Sequence, residues 1–186
     1  MKAKINKITV DIVQDDILTL QVDCIVTVTD PNLHVDPALL AVAGETVTEQ
    51  TRLIGWSNVG TSVITGAGDM LTVKKIIHTV GPRLGEDQAR GKLARATWQC
   101  LELADANDVS SIALPPISTG TLGYPMEASA KIMIEQIIDF TFEKLKSLRR
   151  ITICVDDTQN ARDIFDAEFR RQLDELKNAG EGQVRA

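Results

Sequence analysis

The sequence predicts a three-layer α/β/α sandwich around a mixed, mostly parallel sheet of about six strands. Short β-branched runs alternate along the chain with longer segments of helical period, which implies crossover connections between strands. Several of the strand runs are almost continuously apolar, as strands covered on both faces require. The chain has 186 residues, 44% apolar and 25% charged, which is the balance of an ordinary globular protein with length for about one core.

The alternation in Ile8-Thr9-Val10-Asp11-Ile12-Val13 places Ile8, Val10 and Ile12 on one face and predicts the first strand. Cys24 to Val28, Ser62 to Thr65, Lys75 to Val80, Ser111 to Leu114 and Arg150 to Val155 complete the set, with Gly81-Pro82 closing the fourth as a turn. Between Ala89 and Asn107, the residues Leu93, Ala96, Cys100 and Ala104 fall on one helical face. Met126 to Leu145 carries a similar stripe through Ala130, Ile134, Ile137, Ile138, Thr141 and Leu145, and Phe165, Phe169 and Leu176 mark a last helix. Trp56 and Trp98 are expected as core or edge anchors. Residues 1–179 read as one domain, and 180–186, with Gly180 and Gly182, as a flexible C-terminal tail.

Composition excludes several classes. With 26 acidic against 20 basic residues and a net charge of -6, a broad nucleic-acid footprint is disfavoured. Cys24, Cys100 and Cys154 lie far apart and form no CxxC pair, and His34 and His78 are the only histidines, so neither a disulfide framework nor a metal site is indicated. No cofactor is called for. The longest apolar run, the six residues Ala38 to Ala43, is far below the roughly 18 to 20 needed to span a bilayer. The N-terminus carries no secretory apolar stretch, and the expected location is cytoplasmic.

The segment most able to carry chemistry is Ala113-Leu114-Pro115-Pro116-Ile117-Ser118-Thr119-Gly120-Thr121-Leu122-Gly123-Tyr124-Pro125, a strand, a glycine-punctuated loop and a helix start. Gly120 and Gly123 permit unusual backbone angles, Ser118 and Thr119 offer hydroxyls, and the helix start presents free N–H groups. Such a loop beyond the carboxyl end of a strand suits a phosphate, although a tight turn also needs glycine. Asp36-Pro37 ahead of an apolar run reads as a helix N-cap with proline in the first turn. His78, inside an apolar strand, reads as a core histidine. Lys144, Lys146, Arg149 and Arg150 read as a solvated helix end.

Ile117-Ser118-Thr119-Gly120 with Gly123-Tyr124-Pro125 resembles the phosphate loop of macrodomains, the ADP-ribose-binding modules. The similarity runs from about Val10 to about Leu173. Val13-Gln14-Asp15-Asp16-Ile17 resembles the family's first loop, with Asp15 where glycine is usual. Val22-Asp23-Cys24-Ile25-Val26, Gly60 to Thr65 and Ile76-Ile77-His78-Thr79-Val80-Gly81-Pro82 are similar to later strands and a turn, in the family's order. The resemblance implies that Asp16 accepts a hydrogen bond from the adenine amino group, that Ile17 meets the same base through its backbone, and that Ser118, Thr119, Gly120, Thr121, Leu122 and Gly123 wrap the diphosphate. Asp16 as a simple turn cap is the other reading. Val155 falls where an aromatic often stacks on adenine, and Leu122 where an aromatic often packs on the distal ribose.

The departures lie where turnover would occur. Thr27-Val28-Thr29-Asp30 stands where many members have Asn-Ala-Ala-Asn, and the glycine run that follows is replaced by Pro31-Asn32-Leu33-His34-Val35-Asp36-Pro37. The loop is about four residues shorter than usual, and at 3.3 to 3.6 Å per residue its reach is curtailed. Asp36 matches an aspartate credited in family hydrolases with activating water, and Asp30 lies near the expected ribose; these two are the candidate catalytic residues. The function expected is binding of ADP-ribose or an ADP-ribosylated protein with weak or no turnover. Hydrolysis of ADP-ribosyl esters or O-acetyl-ADP-ribose through Asp36 is the alternative, and a degenerate macrodomain acting as an interaction scaffold without a nucleotide is the second.

Overall fold

The computed structural model describes all residues, Met1–Ala186. One sheet organises the chain, in the order β4-β5-β3-β6-β7-β2-β1-β8. Its middle is parallel: β2 (Ile8–Gln14), β3 (Cys24–Thr29), β5 (Lys75–Val80), β6 (Ser111–Leu114) and β7 (Arg150–Val155) run together, with Ile25 opposite both Ile76 and Ala113, and Ile12 opposite Ile153. β4 (Ser62–Gly66) closes one side antiparallel to β5, and β1 (Lys2–Ile5) the other antiparallel to β2.

All six expected strands form, and the sheet has eight because the two ends of the chain add to it. β8 (Val184–Arg185) pairs antiparallel with β1, Ile5 opposite Val184. Asn6 N–H donates to the Gln183 carbonyl at 2.7 Å, and Gln183 N–H returns to Asn6 Oδ1 at 3.0 Å. The segment 180–186, expected as a loose tail, is therefore held at the sheet edge by long-range hydrogen bonds.

Strand alternation divides the core. Val26, Ile77, Ile112, Leu114, Ile151 and Ile153 face a large cluster with α3 (Ala89–Ala106), α4 (Met126–Phe140) and α5 (Ala161–Asn178). Their neighbours Ile25, Ile76 and Ala113 face a smaller cluster with α1 (Pro37–Ala43) and α2 (Glu45–Ile54). The result is the expected three layers, of unequal thickness. α4 ends at Phe140, short of the expected Leu145, where Thr141 Oγ1 folds back onto the Ile138 carbonyl at 2.7 Å. Trp98 meets Phe140 edge to face with centroids 5.0 Å apart, as an anchor should. Trp56 does not anchor: it is 57% exposed. No helix is long and apolar enough to cross a membrane.

Candidate functional site

The parallel strands deliver their carboxyl ends to one side of the sheet, where an elongated cleft opens in two hollows that share Pro116. The first, of about 530 Å³, lies between the ends of β2 and β7 and takes in Asp15, Asp16 and Ile17 with Cys154, Asp156 and Asp157. The second, of about 560 Å³, lies between the loop after β3 and the loop after β6 and takes in Asp30, His34, Asp36, Arg83, Ser118 and Gly120 to Leu122.

In the first hollow, Asp16 caps a single 3-10 turn, Ile17–Thr19, through Leu18 N–H donating to Oδ1 at 3.0 Å. Asp15, in the place of a glycine, accepts Asp16 N–H at 2.8 Å and so stiffens the same turn. Asp16 Oδ2 and the N–H of Ile17 make no hydrogen bond within the protein. An acceptor and a donor on adjacent residues are thus left open at the rim, and the cap leaves half of the carboxylate available. Cys154 Sγ donates to the Asp15 carbonyl at 3.3 Å, and burial above all pushes its thiol up to about 11, so it stays protonated and inert near neutrality. Val155 does not reach the cleft. It is 1% exposed within the large cluster, because the alternation of β7 turns it to the helix-covered face, and the wall is formed instead by Asp156 and Asp157.

The loop after β6 is held from both sides. Tyr124 N–H closes it onto the Ser118 carbonyl at 2.8 Å, Gly123 N–H onto Gly120 at 3.0 Å, and Leu84 N–H docks on the Leu122 carbonyl at 3.0 Å. Ser118 adopts a φ of 67° and Gly123 of 74°, the left-handed region that only glycine enters freely. Within this frame the consecutive N–H groups of Ser118, Thr119, Gly120, Thr121 and Leu122 have no partner in the protein. Buried donors are normally satisfied, and Ser118 and Thr119 are buried. Ser118 Oγ is likewise buried and unpaired. The loop thus carries a run of open donors, and all but Thr119 of its five residues line the second hollow; successive free N–H groups of this kind suit a compact anion.

Across the second hollow, Asp36 caps α1: Oδ2 accepts Ala38 N–H at 3.1 Å and Leu39 N–H at 3.4 Å. Asp30, six residues earlier, binds His34 Nδ1 at 2.6 Å. Partial burial raises the Asp30 carboxyl, but hydrogen bonds from the His34 ring and backbone outweigh it and hold the group below the usual aspartate value. His78 takes no part. It is fully buried on β5 with Nε2 2.9 Å from Thr65 Oγ1. The sequence did not single out His34, Arg83, Asp156 or Asp157. Only the spacing of four between Asp30 and His34 was available as a signal, and it becomes meaningful once the chain turns there. The second hollow contains one guanidinium, Arg83, and the first contains no cationic side chain.

Residues 28–133 match the family model described as Macro domain. An O-acetyl-ADP-ribose deacetylase of Cronobacter turicensis is 37% identical over 158 residues, covering 80% of this chain and 89% of the relative. Another of that name, from Shigella dysenteriae serotype 1, is 36% identical over 179 residues, covering 91% and 99%. Among solved structures, the Oceanobacillus iheyensis macrodomain with ADP superposes with a TM-score of 0.85 at 28% identity, covering 94% of this chain and 97% of that one.

Proposed function

The chain belongs to the macro domain family, and on that premise we propose that its cleft binds ADP-ribose, free or attached to a protein. The observation that carries the reading is the run of five unpartnered N–H groups from Ser118 to Leu122. In a cleft whose charged side chains are mostly carboxylates, with Arg83 the one guanidinium, backbone donors give a diphosphate neutral hydrogen bonds. In the first hollow, Asp16 Oδ2 and Ile17 N–H offer the acceptor and donor that an adenine amino group and ring nitrogen require. The three cysteines are unpaired, which fits a reducing compartment such as the cytoplasm. Residues 1–186 then act as one module.

Isothermal titration calorimetry with ADP-ribose, and with AMP and ADP as controls, tests the proposal. The expected Kd is micromolar, about -8 kcal/mol, with preference over AMP. A Cβ at Gly120 meets nothing within 4 Å, so Gly120→Glu folds normally while bringing a carboxylate into the anion hollow. Asp16→Asn keeps the acceptor that caps the turn and replaces the open oxygen with a donor. Both variants should lose ADP-ribose; retained affinity in both would remove the assignment of the site. A second reading, hydrolysis of an acyl ester on the bound ribose, is favoured by the names of the relatives at 36% and 37% identity.

A further inference from the structure

The short loop after β3 is more firmly built than its exposure implies. Leu33 N–H donates to the Asp30 carbonyl at 2.9 Å, and Leu33 sits at a φ of 61° with its side chain 1% exposed. A leucine keeps that backbone only where its surroundings over-determine it. Thr29 Oγ1 donates to the His34 carbonyl at 2.7 Å, and Ser57 N–H to the Pro31 carbonyl at 3.0 Å. The turn therefore fixes the direction of His34, and Asp30 Oδ2 fixes its ring at 2.6 Å. A carboxylate only accepts, so Nδ1 carries the proton and Nε2 of the neutral ring is left as an acceptor.

We propose that Asp30 and His34 form a base dyad that activates water against an acyl ester on the ribose seated in the second hollow, with His34 catalytic and Asp30 its positioning residue. The inference rests on the reading that the cleft binds ADP-ribose, and adds the reacting group. Nε2 takes a proton as the water oxygen bonds to the ester carbonyl carbon. The resulting tetrahedral centre expels the ribose oxygen, which takes that proton from the imidazolium, so that a free ribose hydroxyl and a carboxylic acid leave and the neutral ring is restored. No oxidant, metal or further reactant is needed. Asp36 commits its Oδ2 to two N–H groups of α1 and keeps Oδ1 open, so it is the competing base in the hollow. Imidazole, by contrast, changes charge between pH 5 and 8 and is suited to a base near neutrality. The charged groups that line the hollow with the ring are Asp30 and Asp36 from its own loop and Arg83 and Glu86 from the turn after β5, of which Asp30 contacts the ring; the loop after β6 contributes none.

The test is release of acetate from O-acetyl-ADP-ribose by the full chain between pH 5 and 9, with ADP-ribose affinity measured alongside by calorimetry. The wild type should show a rate that falls on acidification, as a base that acts unprotonated requires. The His34 side chain is 75% exposed, so His34→Gln should fold normally, lower kcat by about 100-fold or more, erase that pH dependence and leave the ADP-ribose Kd within about threefold. Asp30→Asn should lower kcat while leaving the ADP-ribose Kd within about threefold, because the ring loses the acceptor that orients it. Added imidazole should partly restore His34→Gly. An unchanged rate and pH profile in His34→Gln overturns the dyad, as does loss confined to Asp36→Asn or a wild type that binds ADP-ribose and releases no acetate. Failure of the wild type to bind ADP-ribose at all would show first in the calorimetry and would remove the reading of the cleft itself.

Discussion

Acidification should destabilise this protein through one histidine well before its carboxylates are protonated. His78 is fully buried on β5, and Thr65 Oγ1 donates to the Gly66 carbonyl at 2.9 Å, which leaves Thr65 to accept from His78 Nε2–H and leaves Nδ1 bare. Burial pushes the pKa from 6.5 down to about 4. An unfolded chain protonates its histidine near 6.5, whereas the folded chain resists until about 4, so the unfolded state binds more protons in that window. The neutral ring's contribution is therefore complete above pH 6.5 and is lost as pH falls towards 4, reaching about 3 kcal/mol at 1.36 kcal/mol per pH unit. By pH 5 about 2 kcal/mol of it should be gone. Urea unfolding of the wild type and of His78→Gln at steps from pH 7.5 to 5 isolates this contribution. The Asp30–His34 pair and the surface carboxylates are common to both proteins and cancel. The stability difference between the two should move by about 2 kcal/mol in favour of the variant as the pH falls. Curves that stay parallel to within a few tenths of a kcal/mol would refute the assignment of a neutral, unprotonated His78.

Two further predictions concern the cleft. Arg83 is its one guanidinium and is exposed, so Arg83→Gln should weaken ADP-ribose by about twofold to fivefold at low salt, the range of an exposed charge pair. The same variant should flatten the fall of affinity between 50 and 300 mM salt; an unchanged salt slope would remove Arg83 from ligand binding. Gly81 packs against Ser118, and a Cβ there would collide with Ser118 Oγ and lie 3.1 Å from Ile117 Cγ2. Gly81→Ala should cost about 1 to 3 kcal/mol, with a lower melting temperature and a weaker Kd. Ser118→Gly in the same chain removes both the colliding oxygen and the strained φ and should restore the melting temperature. A double variant no more stable than Gly81→Ala would show that the collision is relieved elsewhere.

The parts of the fold visible in the sequence are those whose pattern is local. Cys24 to Val28 and Arg150 to Val155 are apolar on both faces, and the structure places them in the parallel middle of the sheet. β1 and β8 were not visible: Lys2-Ala3-Lys4-Ile5 is short and half charged, and Val184-Arg185 is a strand only because Asn6 and Gln183 hold the two chain ends together. α2 was hidden by composition. Its Thr46, Val47, Thr48 and Thr51 are β-branched and poor helix formers, and the helix forms by packing Val47 under the small cluster.

The same distinction explains the site. The loop from Ser118 to Gly123 was legible because its glycines and the flanking strand and helix are contiguous, although the sequence could not show that five successive N–H groups would be left without partners. Val155 misled because its position in the family motif says nothing about which face of β7 it takes in a chain where valine replaces an aromatic. A small apolar side chain fits the core completely, and the wall of the first hollow passes to Asp156 and Asp157. At the opposite end, losing a glycine run looks like simple loss when read residue by residue. Folded, the shorter loop turns tightly enough to bring Asp30 and His34 to 2.6 Å, a contact that a longer glycine-rich loop has no means to enforce. The contracted loop thus places a carboxylate-held imidazole on one wall of the cleft. Under the proposed function the opposite wall, with the unpartnered N–H groups of Ser118 to Leu122, is where an anion finds the longest run of open donors, so Gly120→Glu should weaken ADP-ribose more than any substitution in the loop after β3.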